Sequence, residues 1–344
     1  MEAAARSGIV GAFIAGFFLA SCAGPAAQPV AHIAQPIVAE APPVSIAIPV
    51  TAAQETIEPP QRSVIDQLQR AAHLSIVCSA GATQGGAILC DTAPGATVSL
   101  DGKPIARADG EGVAIVGLTR TAPAQVKISA RAPGSDYDLS TNVDVLPRHD
   151  TVTSFTMDCG KIAPQGAEDK RKAEVAWVKK DKALKSFNDP VAPFALQGPV
   201  RLEGVAYSSS FGATRTYIPK TKACEPKTNV HNGTDIAVGT GTEIRAPMAG
   251  TVILADPDLF YEGGCVFLDL GRGLVSVTMH MSRIDVKPGD RVEQGQLLGL
   301  SGATGSVTGP HLHWAIKYRN VFSEDRGADI WLDPMLMMSL KSPQ

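Results

Sequence analysis

The spacing of hydrophobic positions changes several times along the chain, and each change predicts a different kind of structure. The first 22 residues contain the apolar run IVGAFIAGFFLA, followed by Ser and Cys. This run is too short for a stable bilayer-spanning helix and is typical of the core of a signal peptide. Residues 23–62 are rich in Ala and Pro and have no periodicity, which predicts an extended linker.

Two further patterns predict a small β domain over residues 63–160. Residues 63–74 place apolar side chains at helical intervals behind a Ser that can cap a helix, so a short leading helix is expected. After it come short alternating runs separated by Gly, Pro and Asp-Gly pairs, ending with the run TVTSFTM. Asp-Gly between apolar runs is a hairpin signal, and several such strands predict a β-sandwich.

The remaining chain divides into a helical connector and a second β domain. Residues 161–190 contain good helix formers, and a stripe of Val175, Val178 and Leu184 or Phe187 is expected to pack. The lysines of this segment either form a solvated face or contact an anionic polymer. Residues 191–344 return to alternating strands with Gly-rich turns, which predicts an antiparallel sheet or open barrel. The fold class is therefore mainly β.

Composition excludes one class of partner and leaves the others open. The 344 residues are 44% hydrophobic and 19% charged, with a formal net charge of -3. These values describe an ordinary globular protein and give no sign of a nucleic-acid-binding surface.

The cysteines indicate export. LASC, ending at Cys22, resembles a bacterial lipobox, in which the signal is cut before a cysteine that then carries lipid; the alternative is a plain secretory signal. Both predict a compartment in which disulfides persist. Five cysteines remain beyond Cys22, so at least one is unpaired within the chain. The pairing is open, and Cys224 with Cys265 is favoured because both lie in the C-terminal unit.

The four histidines beyond residue 190 occur in three short motifs. HLHW contains His311 and His313, which point to the same side if they lie on one strand. HNGTD contains His231 and Asp235 with a glycine, Gly233, to relax the backbone between them, and TMHMS contains His280. Two His and one Asp satisfy the three protein ligands of a catalytic zinc ion, which acidifies water and polarises a carbonyl. Two more imidazoles can then move a proton and stabilise an oxyanion.

The three motifs together resemble the lysostaphin-type, or LytM-like, zinc metallopeptidases, which cleave the peptide cross-links of bacterial peptidoglycan. The resemblance covers about residues 200–335 and includes GATGSVTGPHLHW. It implies a zinc (Zn2+) cofactor bound by His231, Asp235 and His313, with His280 and His311 as the catalytic histidines. Arg215 lies in a segment that lines the cleft in relatives, where an anion contact and a structural salt bridge are both open.

Two other functions remain open. Degenerate members of the family bind and activate cell-wall amidases without catalysis, and a secreted metallopeptidase can act on foreign protein or on another species' wall. The intact motif residues favour the enzyme, and a tether at Cys22 favours action on the cell's own wall. The expected partners are peptidoglycan, the membrane through the lipid anchor, and envelope proteins. The expected location is the periplasmic side of a Gram-negative outer membrane.

Overall fold

The computed structural model describes residues 75–202, 204–341 and 343, which belong to one compact unit. The predicted signal peptide, Cys22, the linker and the helix at 63–74 lie outside the described residues. No helix in the described part of the chain is long and apolar enough to cross a membrane.

Two small sheets form the predicted β-sandwich. Its strands are β1 (Val77–Cys78), β2 (Ala82–Thr83), β3 (Ala87–Asp91), β4 (Thr97–Leu100), β5 (Lys103–Arg107), β6 (Val113–Gly117), β7 (Gln125–Arg131) and β8 (Leu139–Leu146). One sheet has the order β1-β3-β6 and the other β2-β8-β7-β4-β5. Their apolar faces meet in a core that contains Ile88, Val116 and Ile128. The predicted Asp-Gly hairpin joins β4 to β5, where Asp101 and Gly102 both have positive φ.

The run TVTSFTM forms a strand, but this strand joins a different sheet. β9 (Val152–Met157) runs parallel to β11 (Thr214–Pro219), which pairs on its other side with β12 (Lys227–Val230). The backbone between the sandwich and the connecting helix is therefore bound to the C-terminal part of the chain by a full strand of hydrogen bonds.

A ten-stranded antiparallel sheet forms the C-terminal part, as predicted. It contains β10 (Tyr207–Ser209), β13 (Thr234–Ile236), β14 (Glu243–Arg245), β15 (Gly250–Leu259), β16 (Gly263–Gly271), β17 (Leu274–Ile284), β18 (Arg291–Val292), β19 (Leu297–Ser301), β20 (Leu312–Tyr318) and β21 (Ile330–Leu332). The main path is β10-β13-β20-β17-β16-β15-β18. β16 and β20 are buried along their whole length, which explains their nearly continuous apolar sequences.

The helices in the described residues are few. They are α1 (Cys159–Ile162), α2 (Ala167–Leu184) and α3 (Pro334–Met338), with a 3-10 turn at Arg326–Ala328. The mainly β fold class is confirmed.

The connecting helix forms as α2, but part of its predicted packing stripe is wrong. Val175 and Val178 are 42% and 53% exposed, whereas Ala176, Ala183 and Leu184 are buried. These residues pack with the core of β15, β16 and β17. Small alanine side chains let a helix approach a sheet closely, so the face with less apolar area is the one that docks.

The sandwich packs directly on the large sheet. The Tyr318 hydroxyl at the end of β20 donates to the Ile115 carbonyl at 2.9 Å. A Cβ on Gly117 would lie 2.6 Å from the Tyr318 ring, so this glycine is needed for the close approach. Arg272 and Asp109 form an ion pair across the same contact, with both side chains almost fully buried.

Two disulfides lie in the described residues, and the predicted Cys224–Cys265 pair is wrong. Cys78 pairs with Cys90, and Cys159 pairs with Cys224. Cys265 is a buried free thiol because its position on β16 points into the core beneath α2. The Cys159–Cys224 bond ties the start of α1 to the loop between β11 and β12.

A fully buried ion pair fastens the chain that leaves α2. Arg319 Nη2 lies 2.9 Å from Asp269 Oδ1, and neither side chain is exposed. Arg319 also donates to the carbonyls of Leu184 and Ser186. Asp269 Oδ2 accepts from the backbone and side-chain N–H groups of Asn188, both at 3.0 Å. The Arg319–Asp269 pair thereby holds the segment from Leu184 to Asn188, which follows α2, against the sheet.

We expect Arg319→Met to lower the free energy of unfolding by about 3–5 kcal/mol, because it leaves the Asp269 carboxylate buried without a counter-ion. Urea denaturation measures the change. Arg283→Met is the matched control, since it removes an exposed pair with Asp285 and should cost less than about 1 kcal/mol. Equal losses in the two variants would contradict the role given to the buried pair.

Candidate metal centre

The three residues predicted as metal ligands converge. The distances are 3.0 Å from His231 Nε2 to His313 Nδ1, 3.1 Å from His231 Nε2 to Asp235 Oδ1, and 3.0 Å from His313 Nδ1 to Asp235 Oδ1. All three residues are buried. Two imidazole nitrogens and one carboxylate oxygen are ligands typical of zinc and related first-row metals. Tetrahedral ligands at zinc distances lie roughly 3.3 Å apart, so the triangle is close to the size required.

Strand pairing creates this arrangement. β13 and β20 run antiparallel with Asp235 opposite His313, and directly paired side chains share a face of the sheet. His231 lies just before β13 and approaches the same point. A Cβ on Gly233 would lie 2.6 Å from His313 Nε2 and 2.6 Å from the Trp314 carbonyl oxygen. This glycine is therefore required by close packing, and its φ lies outside the left-handed region that favours glycine.

Contacts behind the three donor atoms orient them. The Ser210 carbonyl lies 2.9 Å from His231 Nδ1 and can only accept, so Nδ1 carries the proton and Nε2 presents its lone pair. Arg215 Nη2 also lies 2.9 Å from Nδ1, but its hydrogen bond goes to Asp235 Oδ2 at 2.5 Å. Asp235 Oδ1 and His231 Nε2 thus face each other as two acceptors. A cation between them resolves this repulsion, which supports a metal site.

Charge states also favour metal binding. Burial lowers the pKa of His231, so its imidazole is neutral at pH 7. Burial alone would raise the pKa of Asp235, but hydrogen bonding and nearby positive charge outweigh that effect and hold the pKa well below its ordinary value. A neutral imidazole and an ionised carboxylate are the forms that bind metal.

The two histidines predicted as catalytic lie beside this triangle. The His280 ring centroid is 4.9 Å from that of His311 and 6.0 Å from that of His313. His311 Nε2 lies 3.6 Å from Asp235 Oδ1. The sequence predicts that His311 and His313 lie on one strand. In the structure, β20 begins at Leu312, and His311 forms an isolated bridge with Gly302 instead. The structure nevertheless brings all five predicted residues together.

His280 has an unusual backbone. Its φ is 66°, in the left-handed region that costs a non-glycine residue about 1–2 kcal/mol. The register of β16 and β17 shifts beside it, between Gly264 and Val266. The His280 N–H donates to the Glu262 carbonyl at 2.9 Å, which stabilises this local conformation. Such strain is often found at functional sites, and here it accompanies a ring that faces the centre.

Backbone carbonyls orient both candidate catalytic rings. His280 Nδ1 lies 2.9 Å from the Thr304 carbonyl, and His311 Nδ1 lies 2.9 Å from the Gly309 carbonyl. Each Nδ1 therefore donates, and each Nε2 is left as a proton acceptor. Burial, together with the nearby His313 and His311, lowers the pKa of His280 to about 3, so this ring is neutral at pH 7.

A cleft of about 410 Å³ opens on the centre, and several residues of its wall gave no signal in the sequence. They include Met157, Lys161, Tyr217, Lys227, Tyr261 and Glu262. Met157 and Lys161 come from β9 and α1, upstream of the predicted peptidase domain, and only tertiary folding places them here. Lys161 Nζ donates to the Val307 carbonyl at 2.6 Å. Of the two roles open for Arg215, the salt bridge, with Asp235, is the one observed.

Comparison with known proteins identifies the family of the domain that contains this site. Residues 229–324 match the sequence profile of Peptidase family M23, and the range includes all five residues of the site. The chain contains a peptidase family M23 domain. This confirms the resemblance carried by the histidine motifs.

Relatives of the M23 domain include named cell-wall enzymes. The chain is 40% identical over 112 residues to the peptidoglycan DD-endopeptidase ShyA of Vibrio cholerae, which covers 33% of this chain and 25% of ShyA. It is 27% identical over 215 residues to ShyB, a peptidoglycan DD-endopeptidase of the same organism, which covers 61% of this chain and 46% of ShyB. The matches therefore span less than half of either relative.

A solved structure matches a larger part of the chain. A crystal structure from Pseudomonas aeruginosa, of a protein assigned to peptidase M23, has a TM-score of 0.52 at 29% identity. The match covers 74% of this chain and 94% of that chain. The shared fold therefore extends well beyond the M23 domain.

We expect Gly233→Ala to destabilise the M23 domain by about 1–3 kcal/mol, because the new methyl group overlaps the His313 ring and the Trp314 carbonyl. Thermal unfolding measures the loss, and the histidine NMR resonances report the site itself. Gly239→Ala is the control, since nothing lies within 4 Å of its Cβ position. Unchanged His313 resonances in Gly233→Ala would show that the close contact does not constrain the site.

Proposed function

We propose that this chain is a zinc-dependent endopeptidase that hydrolyses peptide cross-links of bacterial peptidoglycan during wall remodelling. The observation that carries the proposal is the convergence of three metal-type donor atoms with two further histidines whose proton positions are set by backbone carbonyls. The names of ShyA and ShyB support peptidoglycan as the substrate.

His231 Nε2, Asp235 Oδ1 and His313 Nδ1 would hold the zinc ion. Zinc supplies Lewis acidity when bound, because it polarises a carbonyl group and acidifies water. Arg215 acts through Asp235: it occupies Oδ2 and leaves Oδ1 directed at the centre.

His280 and His311 would move protons and stabilise charge during hydrolysis. In each ring the Nδ1 proton is held by a backbone carbonyl, which leaves Nε2 as the proton acceptor. A neutral Nε2 accepts a proton from the attacking water, and the resulting imidazolium can return it to the leaving amine. The protonated ring also donates to the oxyanion that develops on the substrate carbonyl. The arrangement thus provides a base, an acid and a hydrogen-bond donor within one cleft.

We further propose that Cys22 carries lipid and that the protein acts from the periplasmic side of the outer membrane. The lipobox-like LASC and the Ala- and Pro-rich segment at 23–62 support this location.

The enzymatic proposal is tested with the purified chain, its His311→Ala and His313→Ala variants, and exposed His149 changed to Ala as a histidine control. We expect His311→Ala to bind one zinc ion per chain but to release muropeptide fragments at least 100-fold more slowly, since it loses a proton-transfer group. His313→Ala should lose zinc, and His149→Ala should match the unaltered protein.

Zinc stoichiometry and fragment release from purified peptidoglycan are measured together. If the unaltered protein binds zinc but releases no fragment, the enzymatic proposal fails, and the non-catalytic amidase-activator function becomes the better explanation.

The lipid anchor predicts that labelled palmitate enters the protein in cells and that Cys22→Ala abolishes incorporation. Cys265→Ala is the control, because this free thiol is buried in the core. Equal labelling of the Cys22→Ala variant would rule out the anchor.

A further inference from the structure

Thr304 makes two side-chain hydrogen bonds inside the large sheet, although it lies in the loop between β19 and β20. Its Oγ1 accepts from the Gly264 N–H at 2.9 Å and donates to the Met281 carbonyl at 2.9 Å. Gly264 and Met281 are partners in the pairing of β16 with β17, and the register shift of this pair lies beside them. The hydroxyl therefore links two backbone groups of paired strands at the point where the regular ladder is disturbed.

The main chain of the same residue holds the His280 ring. The Thr304 carbonyl accepts from His280 Nδ1 at 2.9 Å. Met281, whose carbonyl accepts from the Thr304 hydroxyl, follows His280 directly in the chain. Thr304 thus contacts both the ring of His280 and the backbone just after it, while the Glu262 carbonyl accepts from the His280 N–H.

Close backbone packing leaves the loop of Thr304 little freedom. A Cβ on Gly263 would lie 2.3 Å from Thr304 Oγ1, and a Cβ on Gly305 would lie 2.4 Å from the Gly263 nitrogen. The Ser306 N–H also donates to the Tyr261 carbonyl at 2.9 Å. The segment from Thr304 to Ser306 therefore packs directly on the turn between β15 and β16, which fixes the position of the Thr304 carbonyl.

A hydroxyl is the side-chain group that this position requires. It both donates and accepts, so it satisfies a backbone N–H and a backbone carbonyl at once. Gly264 and Met281 are buried, and a methyl group in place of the hydroxyl would remove the partner that Thr304 supplies to each of them. Because an unsatisfied buried polar group is costly, the loop and the strand pair would then rearrange.

The second candidate catalytic ring is held in a different way. His311 Nδ1 donates to the Gly309 carbonyl, two residues earlier in the same loop. This contact does not involve the Thr304 hydroxyl. A change at Thr304 is therefore expected to act on one ring and to leave the other in place.

We propose that Thr304 is a positioning residue, whose hydroxyl fixes the carbonyl that sets the tautomer and the orientation of His280. Thr304 acts through the His280 ring. Its consequence for catalysis rests on the proposed function, whereas the tautomer of the ring does not depend on it. Only while the hydroxyl bridge is intact does the Nδ1 proton stay on the Thr304 carbonyl and leave Nε2 as the acceptor.

Nitrogen-15 NMR of the histidine rings tests the tautomer in the metal-free full-length protein at about pH 8, where an ordinary imidazole is neutral. In the unaltered chain, we expect His280, assigned by comparison with His280→Gln, to carry its proton on Nδ1. Thr304→Val should mix the two tautomers, so that the Nδ1 and Nε2 resonances of His280 move towards each other. Thr304→Ser should keep the proton on Nδ1, and the His311 resonances should stay in place in each variant. Thr240→Val is the control, because this threonine is exposed.

Cleavage of peptidoglycan by the same variants with zinc measures the catalytic consequence. Thr304→Val should lower kcat about 10- to 100-fold with little change in KM, because a displaced proton acceptor affects the reaction more than substrate binding. Thr304→Ser should recover most of the loss. Thermal unfolding establishes that each variant is folded, and Thr304→Ala replaces Thr304→Val if the valine does not fit.

The outcomes separate the two conclusions. A proton on Nε2 of His280 in the unaltered protein, or unchanged His280 resonances in a folded variant without the hydroxyl, would overturn the positioning role. An equal change at exposed His149 would indicate general loosening and would overturn it as well. Cleavage that Thr304→Val leaves at full rate would overturn the positioning role and leave the enzymatic proposal intact. A tautomer change in a chain that cleaves nothing would support the positioning role and contradict the enzymatic proposal.

Discussion

The pairing of β13 with β20 is the constraint on which the site depends. It places Asp235 opposite His313, and a shift of one residue would send one of them to the other face of the sheet. His231 then completes the triangle from the segment just before β13. The packing around Gly233 leaves little room for an alternative register, because the His313 ring and the Trp314 carbonyl already fill the space. The metal-type geometry is thus a property of the sheet.

Backbone carbonyls, more than side chains, determine which nitrogen of each imidazole carries the proton. Ser210, Thr304 and Gly309 each accept from an Nδ1 and so decide which nitrogen faces the centre. A carbonyl on a packed strand or turn has little freedom to move and does not titrate. The backbone also constrains His280 directly, because the paired strands around this residue maintain its strained left-handed conformation.

Upstream segments contribute to the cleft although they lie outside the M23 domain. β9 and α1 provide Met157 and Lys161, and the Cys159–Cys224 bond holds α1 against the hairpin of β11 and β12. The shape available to a substrate is therefore decided jointly by the M23 domain and by the chain that precedes it.

The sequence by itself determined the mainly β fold, the connecting helix and the five residues of the site. These features depend on local periodicity, turn chemistry and residue type, which are visible in short windows. Only the tertiary structure decided the partner of Cys224, the buried face of α2 and the attachment of β9 to β11. Each of these depends on which distant side chains occupy the neighbouring space, and no local pattern carries that information.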